Sequence, residues 1–279
     1  MKFWPFFKII LFSFFVAIQV EARPAVPAEL QNFSWQTGDV IGISELFTDW
    51  STFFFEAATG SRYGHVGIVS VETDGVYVFE ENDPYAQKTK LDSFLGTAGK
   101  NPVTKKILAS IMRPKQALSS AELEKILWAA NEAVTKKIPY NHSQMMNLDS
   151  LNCSEFVRAV YAFAGREVGK IEKLGALNVG AFNGWMLKAW EYQGNKTNME
   201  NLVVSPMSII LSDSLYPVYA NLPTDYYLSD RQLYNAWKAE GFINELSQQT
   251  HVPKMIINFL GKRSSDKPWR VQPKKRVFQ

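Results

Sequence analysis

The sequence predicts an α+β fold, a modest antiparallel sheet with helices set against it. Three observations predict it. Short runs rich in β-branched residues crowd the first half: Val40-Ile-Gly-Ile43, Val66-Gly-Ile-Val-Ser-Val71 and Val76-Tyr-Val-Phe-Glu80. The last two flank Glu-Thr-Asp74-Gly75, where Asp-Gly cues a hairpin. Further on, residues 154–164 carry helical spacing, with Phe156, Val157, Val160, Tyr161 and Ala164 at core positions and Gly165 as the C-cap.

The remaining elements follow in order. Residues 23–36 read as a Pro-containing lead-in, and Gly38-Asp39 as a turn before the first strand. Residues 45–58 have helical spacing with Leu46, Trp50, Phe53, Phe54 and Ala57 on one side, a stripe best accounted for by core packing. Residues 90–94 suggest a short element and 106–112 a further strand. Ser119 or Ser120 caps a helix to about Val134, with Glu122 or Glu124 in its first turn. Residues 136–152 are mostly loop, 171–200 partly helical, and Ser229 caps a last helix to about Leu246.

Residues 1–22 read as a cleavable signal peptide: Lys2 and Lys8, an apolar run over 9–18, and Val20-Glu21-Ala22 at the cleavage site. A run of about ten apolar residues is too short for a bilayer, which needs roughly twenty. The mature chain is therefore expected in the periplasm or secreted. Residues 23–215 form one expected domain, and 216–279 a helical appendage with a basic tail.

Charge is unevenly spread. Residues 262–279 hold seven basic side chains against Asp266, a net +6, and residues 1–22 hold +1. The whole chain is +3, so residues 23–261 sum to −4. A mildly acidic body argues against nucleic acid as partner. The tail, with Trp269 and Phe278, suits an anionic membrane surface, or is simply a solvated end.

Cys153 is the only cysteine, so it forms no intramolecular disulfide. It is either a buried inert thiol or a nucleophile. Its place at the start of the 154–164 helix favours the nucleophile, since a helix N-terminus stabilises a thiolate and offers N–H groups to an oxyanion. A general base must accompany it. The candidates are His65, His142 and His251. His65 opens a strand in Tyr63-Gly-His-Val-Gly67 and is favoured over His142 in a polar loop and His251 in the appendage.

Glu80 is the candidate third group, orienting the imidazole. If Asp74-Gly75 form the turn, Val69 faces Glu80, and Glu80 shares a face with His65 while Glu81 points away. That register leaves Glu80 four residues short of His65, so a longer loop or a bulge must close the gap.

Four stretches together resemble the permuted papain-like amidases, the YaeF/YiiX (C92-like) branch of the NlpC/P60 superfamily. They are Gly38-Asp-Val-Ile41, Ala58-Thr-Gly-Ser-Arg-Tyr-Gly-His-Val-Gly-Ile68, Val76-Tyr-Val-Phe-Glu80 and Asn152-Cys-Ser-Glu-Phe156. Lys137-Ile-Pro-Tyr140 and Val203-Val-Ser-Pro206 resemble two flanking motifs, and the likeness covers residues 37–215. The histidine precedes the cysteine by 88 positions, the order of the permuted members. Gly64 departs from the small hydroxyl residue that relatives often carry there.

The resemblance implies a permuted papain-like NlpC/P60 fold, with an antiparallel sheet packed against the helix bearing the cysteine. It implies Cys153 as nucleophile, His65 as base and Glu80 as third residue, with no metal and no cofactor. The implied activity is that of an exported cysteine amidase or peptidase acting on cell-envelope peptides. Two alternatives stand beside it: a thiol acyl hydrolase or acyltransferase acting on lipids, and a catalytically silent binding module. Asn32, Asn141, Asn152 and Asn195 begin Asn-X-Ser/Thr sequons. A glycan on Asn152 would block the thiol, which favours a bacterial envelope.

Overall fold

A computed structural model describes residues 26–45, 56, 59–143, 146, 149–177 and 198–244. The expected signal peptide, the whole aromatic stripe, residues 178–197, His251 and the basic tail lie outside these residues.

Six strands form the main sheet: β1 (Val40–Ile43), β2 (His65–Glu72), β3 (Gly75–Asn82), β4 (Tyr85–Lys90), β5 (Ala109–Pro114) and β8 (Leu215–Ala220). Their order is β4-β3-β2-β1-β5-β8, antiparallel throughout. A second ladder pairs β6 (Glu172–Lys173) with β7 (Leu202–Val203). The helices are α1 (Leu91–Thr97), α2 (Ser120–Lys136), α3 (Cys153–Phe163), α4 (Pro206–Ile210) and α5 (Asp230–Ala239).

Both faces of the sheet are covered. Val66, Ile68 and Phe79 join Phe156, Val157 and Val160 of α3 and Ile126 and Ala130 of α2 in one core. Ile41, Ile43, Val69, Val78 and Ile111 join Leu91, Phe94 and Leu95 of α1 in the other. Burying each such Phe, Val or Ile contributes roughly 1.5–3 kcal/mol, whereas a helix cap contributes about 1 kcal/mol. Packing therefore holds α3 on the sheet, and capping decides where the helix begins.

Several expectations meet the structure directly. The first strand spans 40–43 as expected. Ser119 caps α2 through a reciprocal pair with Glu122. Gly38 turns the chain at φ +90°, with Asp39 N–H donating to the Gln36 carbonyl at 3.0 Å.

Others need correction. The β2–β3 turn falls on Thr73 and Asp74, because Glu72 pairs with Gly75 and Val71 with Val76. A turn over Asp74-Gly75 would place Asp74 in the left-handed region. Asp74 instead keeps negative φ and accepts the Tyr77 hydroxyl at 2.8 Å, while Gly75 takes φ +152°. The expected 106–112 strand begins only at Ala109, since residues 101–106 close a turn through Lys105 N–H to the Asn101 carbonyl at 2.8 Å. The strands β4 and β8 were not expected. They are the two sheet edges, one polar with a single buried residue, Ala86, and the other carrying Pro217 beside a register shift at Ile111/Met112.

Candidate active site

The thiol is placed by local chemistry. Asn152 Oδ1 accepts from the N–H groups of Ser154 and Glu155, each at 2.9 Å, and the Asn152 N–H donates back to Glu155 Oε2 at 2.8 Å. This capping box makes Cys153 itself the first helical residue, one earlier than the spacing suggests. The Phe156 N–H goes to the Asn152 carbonyl at 2.9 Å. Of the first-turn donors, the Cys153 N–H alone has no acceptor among the described residues. The expected set of donors for an oxyanion narrows to that one group, because the cap consumes its neighbours.

The imidazole is placed by the sheet. His65 opens β2 opposite Ile43 of β1. Its Nε2 lies 2.6 Å from Glu80 Oε2. No bulge is required, because moving the turn back by one residue keeps strand parity and draws Glu80 two residues nearer along the ladder. Glu80 then lies beside Gly67, its Cβ 3.6 Å from where a Gly67 side chain would begin. A real Cβ there would stand 2.4 Å from Val78 Cγ1 and 2.9 Å from the Phe79 carbonyl oxygen. The glycine thus lets β3 come close enough for the carboxylate to reach the ring diagonally. Gln87 Nε2 steadies the other oxygen, Glu80 Oε1, at 3.3 Å.

Cys153, His65 and Glu80 expose only 4%, 5% and 3% of their surface, so their mutual fields are weakly screened. Burial by itself disfavours a charged ring. The neighbouring Cys153 side chain and then Glu80 overcome it and hold the His65 imidazolium well above its ordinary 6.5. With Nε2 committed to Glu80, Nδ1 is the nitrogen left to face sulfur. Phe94 packs near the ring, their centroids 5.6 Å apart.

The other candidates fall elsewhere. The His142 side chain is 70% exposed, 3.3 Å from Asp83. Glu81 sits on the face shared with Phe79 and Ala86, fully buried, and its oxygens have no hydrogen-bond partner among the described residues. Burial pushes its carboxyl up to about 8, with His65 working the other way.

Two features went unread in the sequence. Asn152 is a helix cap as well as a sequon, and Asn-x-x-Glu ahead of an apolar helix is the signature that marks it. Arg62, in the lead-in to His65, is 2% exposed with its whole guanidinium engaged; no local pattern marks a partner that lies so far along the chain.

The pattern described as "Permuted papain-like amidase enzyme, YaeF/YiiX, C92 family" matches residues 34–219. The chain belongs to that family. It is 28% identical over 202 residues to the uncharacterized protein YiiX of Escherichia coli strain K12, spanning 71% of this chain and 92% of the relative. The crystal structure titled metalloprotein yiiX from Escherichia coli O157:H7 superposes with a TM-score of 0.57 at 26% identity. It covers 67% of this chain and 98% of its own. The mixed helical and antiparallel architecture is that of the permuted papain-like fold.

Proposed function

We propose that this family member is an exported cysteine hydrolase that cleaves an amide of a cell-envelope peptide, with Cys153 as nucleophile, His65 as general base and Glu80 as the group that orients it. The observation that carries the reading is the pairing of two preset geometries. A thiol stands at a helix start with one uncommitted N–H, and the imidazole whose charge it favours has a ring nitrogen tied to a carboxylate at 2.6 Å.

The steps follow from those atoms. Cys153 Sγ attacks the carbonyl carbon, and the developing oxyanion accepts a hydrogen bond from the Cys153 N–H. A preset donor of this kind contributes about 10²–10³ in rate. The His65 imidazolium then gives the Nδ1 proton to the departing nitrogen as the C–N bond breaks, leaving a thioester. Water, losing a proton to Nδ1, attacks that thioester; the C–S bond breaks and the charged pair is restored. Glu80 keeps the ring in place and stabilises its charged form throughout.

The related crystal structure is titled a metalloprotein. In this chain no group of three His, Cys, Asp or Glu side chains among the described residues converges as a metal site needs. Glu80 already occupies the outer nitrogen of His65, and the steps above use thiol, imidazole and backbone.

The test is intact-mass spectrometry of the mature protein mixed with envelope peptides. An acyl adduct on wild-type protein that is lost in Cys153→Ala is the expected result. Undiminished hydrolysis by Cys153→Ala would overturn the assignment.

A further inference from the structure

The family match ends at residue 219, yet the chain leading into His65 is held by side chains beyond it. Arg62, three residues before His65, donates from Nε to Glu56 Oε2 at 3.0 Å. Its Nη1 and Nη2 reach Glu240 Oε1 and Oε2 at 2.6 and 2.5 Å, a two-pronged fork on one carboxylate. Glu56 is itself a hub. Its Oε1 accepts the Ser44 hydroxyl at 2.5 Å, just past β1, and its Oε2 also accepts Trp237 Nε1 at 2.9 Å. Trp237 and Glu56 are fully buried. The Leu228 N–H adds a bond to the Gly60 carbonyl at 2.6 Å.

From the sheet side, the Gly64 N–H donates to the Ile43 carbonyl at 2.9 Å and the Tyr63 hydroxyl to Ser110 Oγ at 2.8 Å. The run that delivers His65 is therefore gripped between β1 and β5 on one side and residues 228–240 on the other.

We infer that α5 and the residue following it are a clamp on the general base: Trp237 and Glu240, through Glu56 and Arg62, are positioning residues that set where His65 meets Cys153. The inference rests on the reading of His65 as base. Its physical ground is that a buried guanidinium and a buried carboxylate are costly unless every donor and acceptor is met, so the geometry that meets them is held. Loss of Glu240 leaves two guanidinium nitrogens without their acceptors, and the chain can meet them only by shifting Arg62. His65 is too close along a strand start to stay fixed when Arg62 moves.

The experiment measures the alkylation rate of Cys153 by iodoacetamide from pH 5 to 9 on the full mature chain, with melting temperature recorded for each variant. Glu240→Gln keeps shape but loses charge, and Trp237→Phe removes one N–H. Each is expected to slow alkylation at pH 6, Glu240→Gln by about tenfold. Their profiles should move toward that of His65→Ala. Should Glu240→Gln fail to fold, Trp237→Phe decides alone. A lower melting temperature with a wild-type alkylation profile in the folded variants makes the clamp purely structural and overturns the inference. A wild-type profile in His65→Ala instead removes the general base, a failure of a different kind.

Discussion

The two halves of the candidate site are held in opposite ways. Cys153 is fixed from within four residues, by a cap in which Asn152 and Glu155 satisfy each other across the first turn. His65 is fixed from afar: Glu80 lies 15 positions on, and the Arg62 that precedes it is tied to Glu240 178 positions away. A locally built nucleophile tolerates change elsewhere in the molecule. A base assembled from distant parts inherits the uncertainty of each, so mutations that disturb the site without touching it are expected on the histidine side.

The largest effect tests whether the halves act as one. His65→Ala is expected to abolish turnover about as fully as Cys153→Ala, because losses within a catalytic unit do not add. Alkylation of its thiol near neutral pH should also slow, since the imidazolium beside it is gone. In the wild type the raised His65 keeps its proton above pH 6.5, so fast alkylation should persist through neutrality. Turnover by His65→Ala within tenfold of wild type would separate the halves.

Glu80→Gln comes next. The amide can still hold the ring but not stabilise its charge, so turnover should fall while remaining measurable, and the fall should be less than for His65→Ala. Asn152→Ala follows, acting on the local half. It removes two hydrogen bonds and is expected to cost about 1 kcal/mol of stability. It also leaves the Ser154 and Glu155 N–H groups uncapped, which frees rather than removes donors near the oxyanion. Turnover should therefore drop less than for Glu80→Gln, as read from kcat and thermal melts together. A larger loss from Asn152→Ala would mean that the cap fixes the sulfur more tightly than the sheet fixes the imidazole.

That contrast explains what the sequence disclosed. The helix at Cys153 was legible because an apolar face at helical spacing and a capping residue are written within a dozen positions. Strand parity put Glu80 rather than Glu81 on the face of His65, since parity survives an error of two in the register sum. The contact distance did not survive it. Whether the turn falls on Thr73-Asp74 or on Asp74-Gly75 depends on the cost of left-handed backbone at Asp74 and on the bond it accepts from the Tyr77 hydroxyl, neither of which a turn dipeptide records. Nothing in Arg62 itself says that its carboxylates lie at 56 and 240, and the edge strands β4 and β8 carry too few buried residues to announce themselves.

Glu81 gives the finest test, because it differs from Glu80 by one position and by everything around it. Its carboxyl is buried without a hydrogen-bond partner among the described residues and pushed up to about 8, so at neutral pH it stays protonated. Glutamine copies a neutral acid, and Glu81→Gln should leave turnover at pH 7 close to wild type. The effect belongs to stability instead. The unfolded chain releases this proton near its ordinary 4.5, whereas the folded chain keeps it until about 8. Between those values the folded state binds more protons, so the contribution of Glu81 falls as pH rises through that window and is level above it. Glu81→Gln removes the slope. Relative to wild type, its melting temperature should be unchanged at pH 4 and should gain steadily up to pH 8. A difference that is constant across that range would mean Glu81 is ionised in the folded protein. It would then be a second negative charge on His65, and the neighbouring glutamates would share the work assigned to Glu80 alone.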